Sequence, residues 1–200
     1  MSQRTFLALD LHPSVLDRLG RAREAMHDPD AAVRWVDRDN LHLTLLFLGD
    51  VPDERLAGVC DSAAGAAAAI EPFEFHLRGI QCVPPKGPLR MVWAGVEEPT
   101  GRLMELQAGL AAALAGLGLR QEDRAFRPHI TLARVKNGGR PRHGDSANNS
   151  AASEGLRQLA LAQQDADFGP TFAEEVVIYG SVLTPEGPLY TPTARAPLGV

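Results

Sequence analysis

Short apolar runs of strand character alternate with longer stretches of helical spacing from one end of the chain to the other. Thr5 to Leu9 is continuous and ends at Asp10, which predicts a buried strand. Pro13 suits the first turn of a helix running to about Met26. Val33 to Val36 predicts a short strand, and Asp37-Arg38-Asp39-Asn40 a polar turn. A strand over Leu41 to Leu48 stops at Gly49-Asp50, and Pro52 and Asp53 then open an Ala-rich helix extending towards Ile70. Phe73 to Val83 and Leu89 to Val96 flank the loop Pro84-Pro85-Lys86-Gly87-Pro88 and predict a hairpin. Thr100 reads as the cap of a helix over Arg102 to Leu117. After the turn-like Arg127-Pro128 comes a strand from His129 to Val135. Asn137 to Ser153 holds Gly, Arg, Ser and Asn with almost no apolar residue, so it reads as a mobile loop leading into a helix near Glu154 to Gln164. Two strands close the chain, Thr171 to Leu183 and Pro188 to Ala196, around the turn Thr184-Pro185-Glu186-Gly187.

These elements fall into two halves of alternating strands and helices. Turn-joined strand pairs favour antiparallel sheets, hence an α+β fold rather than a doubly wound one. The chain of 200 residues is long enough for one large domain or two small lobes sharing a core. A hydrophobic fraction of 44% and a charged fraction of 22% are ordinary for a globular protein. The net charge of −5 argues against broad binding to a nucleic-acid backbone, although it leaves room for a small basic pocket. Lys86 and Lys136 are the chain's lysines; the remaining basic charge is Arg, whose planar fork suits phosphate. Met1 to Asp10 lacks the features of a signal peptide, and Ala63 to Ile70 is too short to span a bilayer. Cys60 and Cys82 form no metal or redox spacing. A cytoplasmic protein with two reduced thiols is the expectation.

One pattern points to chemistry. His42-Leu43-Thr44-Leu45 returns as His129-Ile130-Thr131-Leu132, one copy in each half. Side chains alternate along a strand, so each His shares a face with the Thr two residues on, about 6.5–7 Å away. Imidazole gives or takes a proton near neutrality. Two such groups on opposite sides of a phosphorus divide the labour, one activating water and the other protonating the leaving oxygen. The Thr hydroxyls would hold nonbridging oxygens as charge grows. Neither copy has a carboxylate or second His on its face, so no metal is expected. A lone His-x-Thr is an ordinary surface pair; the duplication carries the inference.

The pair resembles the two signature motifs of the 2H phosphoesterase superfamily, and the chain is similar to its bacterial RNA 2′,3′-cyclic phosphodiesterases, the LigT-like proteins also called 2′–5′ RNA ligases. Supporting segments are Arg4 to Asp10, Asn40 to Gly49, Val92 to Val96, Phe126 to Arg134 and Tyr179 to Leu183, in order along nearly the whole chain. The stretch from Asn137 to Ser153 departs from the family, which fixes neither its length nor its composition. The resemblance implies a bilobal, pseudo-twofold domain over residues 1–200, with two mainly antiparallel sheets flanking a central cleft and helices outside. It implies hydrolysis of a 2′,3′-cyclic phosphate on RNA or a nucleotide to a 2′-phosphate, with no cofactor, His42 as proton donor and His129 as proton acceptor. In reverse, the site would join a 5′-hydroxyl to the cyclic phosphate. RNA ends or nucleotides are the expected partners of a monomer with no obligate protein partner and no membrane.

Other residues are candidates of a second kind. Arg134 matches the arginine after the second motif and would touch phosphate or a base, although strict alternation points it away from His129. Arg127 would line the cleft mouth. Phe6 would stack a base or pack in the core. Phe47, in phase with Leu43 and Leu45, is expected in the core, and Trp35 and Trp93 in the core or at the rim. Arg140 and Arg142 are read as part of a solvated loop. His12, His27, His76 and His143 lack a Thr two residues on and read as surface or helix-end residues.

Overall fold

The computed structural model describes residues 1–26, 33–119, 125–135, 154–185 and 187–199. The expected mobile loop, Asn137 to Ser153, lies outside them, as do Arg140, Arg142, His27 and His143. The strands are β1 (Ser2–Asp10), β2 (Val33–Trp35), β3 (His42–Pro52), β4 (Phe73–Val83), β5 (Met91–Glu97), β6 (His129–Val135), β7 (Asp167–Ala173), β8 (Glu175–Leu183) and β9 (Pro188–Pro197). Helices are α1 (Pro13–Ala25), α2 (Asp53–Ala68) and α3 (Arg102–Ala115), with α4 over 154–161.

The strands join in one sheet in the order β7-β4-β5-β6-β3-β1-β8-β9, with β2 added on β6. Among the described residues every pairing is antiparallel. The fold is therefore α+β as expected, and the two antiparallel sheets are the halves of one curled sheet. They meet between β3 and β6 at the register pair Leu43↔Ile130, both fully buried. The order is palindromic about that seam: each motif strand lies inside a three-strand flank.

α1 and α3 reach across the seam, α3 from β5 onto β3, whereas α2 stays with its own half. α1 leaves β1 of one half yet packs against β7 of the other; α2 packs on α3 and on β9. Leu103, Leu106, Leu110 and Leu114 form the buried stripe of α3, at the three- and four-residue steps of an amphipathic helix. α2 presents Val59, Ala63 and Ala67, small enough to let the two helix axes approach. α1 is capped by His12, whose Nδ1 accepts from the Ser14 N–H, with Pro13 opening the first turn. His12 is thus a helix-end histidine, and His76 a half-exposed one on β4, 3.9 Å from Glu74.

Three boundaries differ from the sequence reading. The closing run Thr171 to Leu183 is two strands broken at Glu174, because β7 pairs with β4 at one edge of the sheet while β8 pairs with β1 and β9 near the other. β3 does not stop at Gly49-Asp50 but continues to Pro52 against Ser2. Gly101, with φ of 84°, takes the cap position of α3 in place of Thr100. The Glu98 carboxylate accepts from the N–H groups of Thr100 and Leu103 and supplies the capping charge. Cys60 and Cys82 are free thiols, both pushed up by burial.

Candidate active site

The seam sets the site. Continuing the Leu43↔Ile130 register places His42 opposite Thr131 and Thr44 opposite His129, so each imidazole faces the other motif's hydroxyl. Leu43, Ile130, Leu45 and Leu132 turn into the core, each no more than 3% exposed. A cleft of about 840 Å³ opens above the seam, lined by His42, Thr44 and Thr131 among others.

Both histidines are oriented in the same way. His42 Nδ1 lies 2.8 Å from the Asn40 carbonyl oxygen, and His129 Nδ1 2.7 Å from the Arg127 carbonyl oxygen. A carbonyl only accepts, so each Nδ1 carries the hydrogen and each Nε2 is the nitrogen that exchanges a proton. Arg127 therefore contributes its backbone carbonyl to the site.

The ring environments differ. His42 stacks on Phe6 at 4.9 Å and meets Tyr190 edge-on at 5.4 Å; Tyr179 lies beside both rings of that stack, 5.3 Å from Phe6 and 6.2 Å from His42. Burial among these rings lowers the His42 pKa to about 4, against the opposing pull of the Asn40 carbonyl and the Asp10 carboxylate. Asp10, opposite His42 in register, accepts a 2.6 Å hydrogen bond from the Tyr179 hydroxyl and sits 3.7 Å from Arg195. The Tyr179 pKa is raised by burial and by that carboxylate. His129 instead stacks on Trp93 at 3.7 Å.

A shared irregularity decides two further residues. Along β3 the β1 partners step from Ala8↔Thr44 to Leu7↔Leu46, and along β6 the β5 partners step from Trp93↔Thr131 to Val92↔Ala133. Leu45 and Leu132, three residues after each histidine, are the bulged residues, and the alternation reverses beyond them. Leu46 and Ala133 join the core beside them, while Phe47 and Arg134 swing into the cleft. The expectation that Phe47 packs in the core is corrected: it is 44% exposed and lies 5.8 Å from Phe6. Arg134 reaches the cleft despite strict alternation, its Nη1 3.4 Å from Met91 Sδ. Phe6 is both core and wall, 3% exposed yet lining the cleft.

Trp35 also lines the cleft, with Arg23 stacked over it at 5.9 Å. Sequence reasoning did not single out Tyr179 or Tyr190, because their relation to His42 depends on β8 and β9 folding back from the far end of the chain. Among the described residues no three His, Cys, Asp or Glu side chains cluster to hold a metal ion. None of the described helices is long and apolar enough to cross a membrane.

Comparison with known proteins gives a consistent answer. The family model of the 2′-5′ RNA ligase superfamily matches residues 11–148. The RNA 2′,3′-cyclic phosphodiesterase of Methanothermobacter thermautotrophicus is 35% identical over 96% of this chain and 96% of its own. A crystal structure of a Thermus thermophilus protein superposes with a TM-score of 0.77 at 30% identity, covering 98% of each chain. Escherichia coli LigT complexed with 3′-AMP superposes with a TM-score of 0.76 at 26% identity, covering 100% of each chain.

Proposed function

The chain belongs to the 2′-5′ RNA ligase superfamily, and from that premise we propose that His42 and His129 open a 2′,3′-cyclic phosphate by paired proton transfer across the β3–β6 seam. The protein is a cyclic phosphodiesterase of the 2H type, with RNA 2′,3′-cyclic ends as its substrate. Support for the mechanism comes chiefly from one observation: two His-x-Thr strands related by the seam, each ring fixed by a carbonyl two residues upstream.

The phosphate lies among the four groups. His129 Nε2 removes a proton from water as the water oxygen bonds to phosphorus. The P–O3′ bond breaks in line, and His42 Nε2 gives its proton to the 3′ oxygen. Thr44 and Thr131 donate to nonbridging oxygens, a contribution that strengthens as charge accumulates. A 2′-phosphomonoester and a free 3′-hydroxyl result. With an RNA 5′-hydroxyl in place of water, the site forms a 2′–5′ linkage. Residues 1–200 act as one unit of two interlocked lobes, as a cytoplasmic monomer needing no partner chain, metal or cofactor. Arg134 and Phe6 hold the substrate's phosphate and base.

In the free cleft His42 is neutral at pH 7, because burial holds it at about 4. A phosphate anion placed beside it raises that value, so the donor form belongs to the substrate complex. The same low value favours a second reading with the roles exchanged. A substrate carrying sulfur at the 3′ bridging position separates the two, since a thiolate leaves without a proton. The alanine variant of the donor regains most of its rate on that substrate, and the variant of the acceptor does not.

The primary test gives the purified protein RNA with a 2′,3′-cyclic end in EDTA and locates the product phosphate. A 2′-phosphate is expected. Absence of turnover, or turnover abolished by EDTA, overturns the reading.

A further inference from the structure

A cleft of about 840 Å³ exceeds what one cyclic phosphate fills, and its far side carries groups the two-histidine chemistry does not use. Arg4 pairs in register with Ser181, and Ser181 with Tyr190, so the three form one row across β1, β8 and β9. All three line the cleft. Neighbouring strands lie about 4.8 Å apart, so the row presents a guanidinium and two hydroxyls over about 10 Å. It contains no carboxylate. Arg4 makes no ion pair among the described residues, although Asp50 is its cross-strand partner and Asp50 does not line the cleft.

The row sits at a definite remove from the chemistry. Arg4 is two residues from Phe6 along β1, about 6.5–7 Å, and Phe6 is the ring stacked on His42. Tyr190 bridges the two regions: its ring meets His42 edge-on at 5.4 Å, and its hydroxyl feels the positive charge of both Arg4 and Arg134. Asp37 is the acidic residue of the cleft lining, on the opposite side with β2. Positive potential therefore continues past the reacting phosphate along an aromatic wall.

We propose that the Arg4–Ser181–Tyr190 row is a second anion subsite that takes the phosphodiester next to the cyclic end, so that the enzyme selects chain-linked RNA ends over cyclic mononucleotides. This rests on the cyclic phosphodiesterase reading and adds a specificity determinant to it. The terminal nucleoside lies along Phe6 and Tyr190, between the two phosphates.

The test compares kcat/KM for a trinucleotide ending in a 2′,3′-cyclic phosphate with that for the same molecule bearing an uncharged methylphosphonate at its last internucleotide linkage. A cyclic mononucleotide serves as the third substrate. Wild type favours the charged trinucleotide over the neutral one by about tenfold. The log–log salt dependence is steeper for the charged substrate by about 0.7. In Arg4→Gln the charged-to-neutral ratio falls to near one and the extra salt slope disappears, while Arg4→Lys recovers part of both. Tyr190→Phe keeps the ring against His42 and lowers the ratio by a smaller factor. A wild-type ratio near one, or an Arg4→Gln loss equal on all three substrates, overturns the subsite. If no substrate turns over, the cyclic phosphodiesterase reading fails, and the subsite is then judged by calorimetric binding of a 2′-phosphate-ended trinucleotide and its methylphosphonate counterpart. Tighter binding of the charged molecule, abolished in Arg4→Gln, supports it; equal affinities overturn it.

Discussion

β3 and β6 run through the same four steps and finish differently. Each has a histidine tied to the carbonyl two residues before it, a buried aliphatic residue at the seam, a threonine, and a bulge at the third residue after the histidine. Beyond the bulge, β3 turns Phe47 into the cleft, whereas β6 turns Arg134 there. The partner strands follow suit: Phe6 lies opposite Phe47, and Met91 opposite Arg134. The repeat keeps the His–Thr pair and places a ring in one copy and a cation in the other five positions on. Under the proposed chemistry, catalytic geometry is thus the symmetric part of the site, and recognition the asymmetric part.

Breaking the shared part should have the largest effect. His42→Ala and His129→Ala are each expected to lower turnover of a cyclic-ended RNA by about 10²–10⁴-fold, measured by single-turnover kinetics. Full activity in either variant contradicts paired proton transfer. Thr44→Val and Thr131→Val keep the strand shape and remove a donor, with losses of up to about 10²-fold in kcat. Comparable losses for the two would show that both motifs hold the same phosphate.

The third prediction concerns stability. His42 has its folded pKa lowered to about 4, against an ordinary value of 6.5. Between those values the unfolded chain binds the proton and the folded one resists it. Stability contributed by the neutral ring is therefore present above pH 6.5 and lost as pH falls towards 4, by up to about 3 kcal/mol. Urea melts of wild type and His42→Gln across that window should diverge, the variant showing the flatter profile. Parallel profiles would mean that the aromatic enclosure does not set the ring's proton affinity.

Smallest and most selective is the change to the unlike residues. Arg134→Gln should raise KM for RNA by about tenfold, through the loss of a charge-assisted contact. Phe47→Leu, which preserves apolar volume, should cost less than that on the same substrate. If the two substitutions have equal effects, the division between a ring flank and a cationic flank is wrong.

The sequence made the repeated strand plain because His, Leu or Ile, and Thr at fixed spacing express both the pleat and the chemistry. It also showed the antiparallel α+β character, through turns at 84–88 and 184–187. Phe47 and Arg134 were less legible because a period-of-two reading fails across a bulge. The clue was present in retrospect: Leu45-Leu46 and Leu132-Ala133 put two apolar residues in succession at the same offset. The break at Glu174 was hidden for another reason. β7 and β8 are contiguous in sequence and differ only in which edge of the sheet they join, a fact of long-range pairing. Tyr179 and Tyr190 were likewise invisible as neighbours of His42, being 137 and 148 residues away along the chain.

The alignment of each histidine with the other strand's threonine has a consequence for regiochemistry. A quartet that maps onto itself when the two motifs are exchanged offers the same groups to either apical direction of a phosphorus. Such a core has no handedness with which to tell a 2′ oxygen from a 3′ oxygen. Under the proposed chemistry, the orientation of the ribose, and so the isomer released, is written in the unlike flanks and not in the proton-transfer groups. The ratio of 2′- to 3′-phosphate in the product then becomes a direct gauge of how firmly Phe47, Arg134 and the wall beyond them grip the nucleotide.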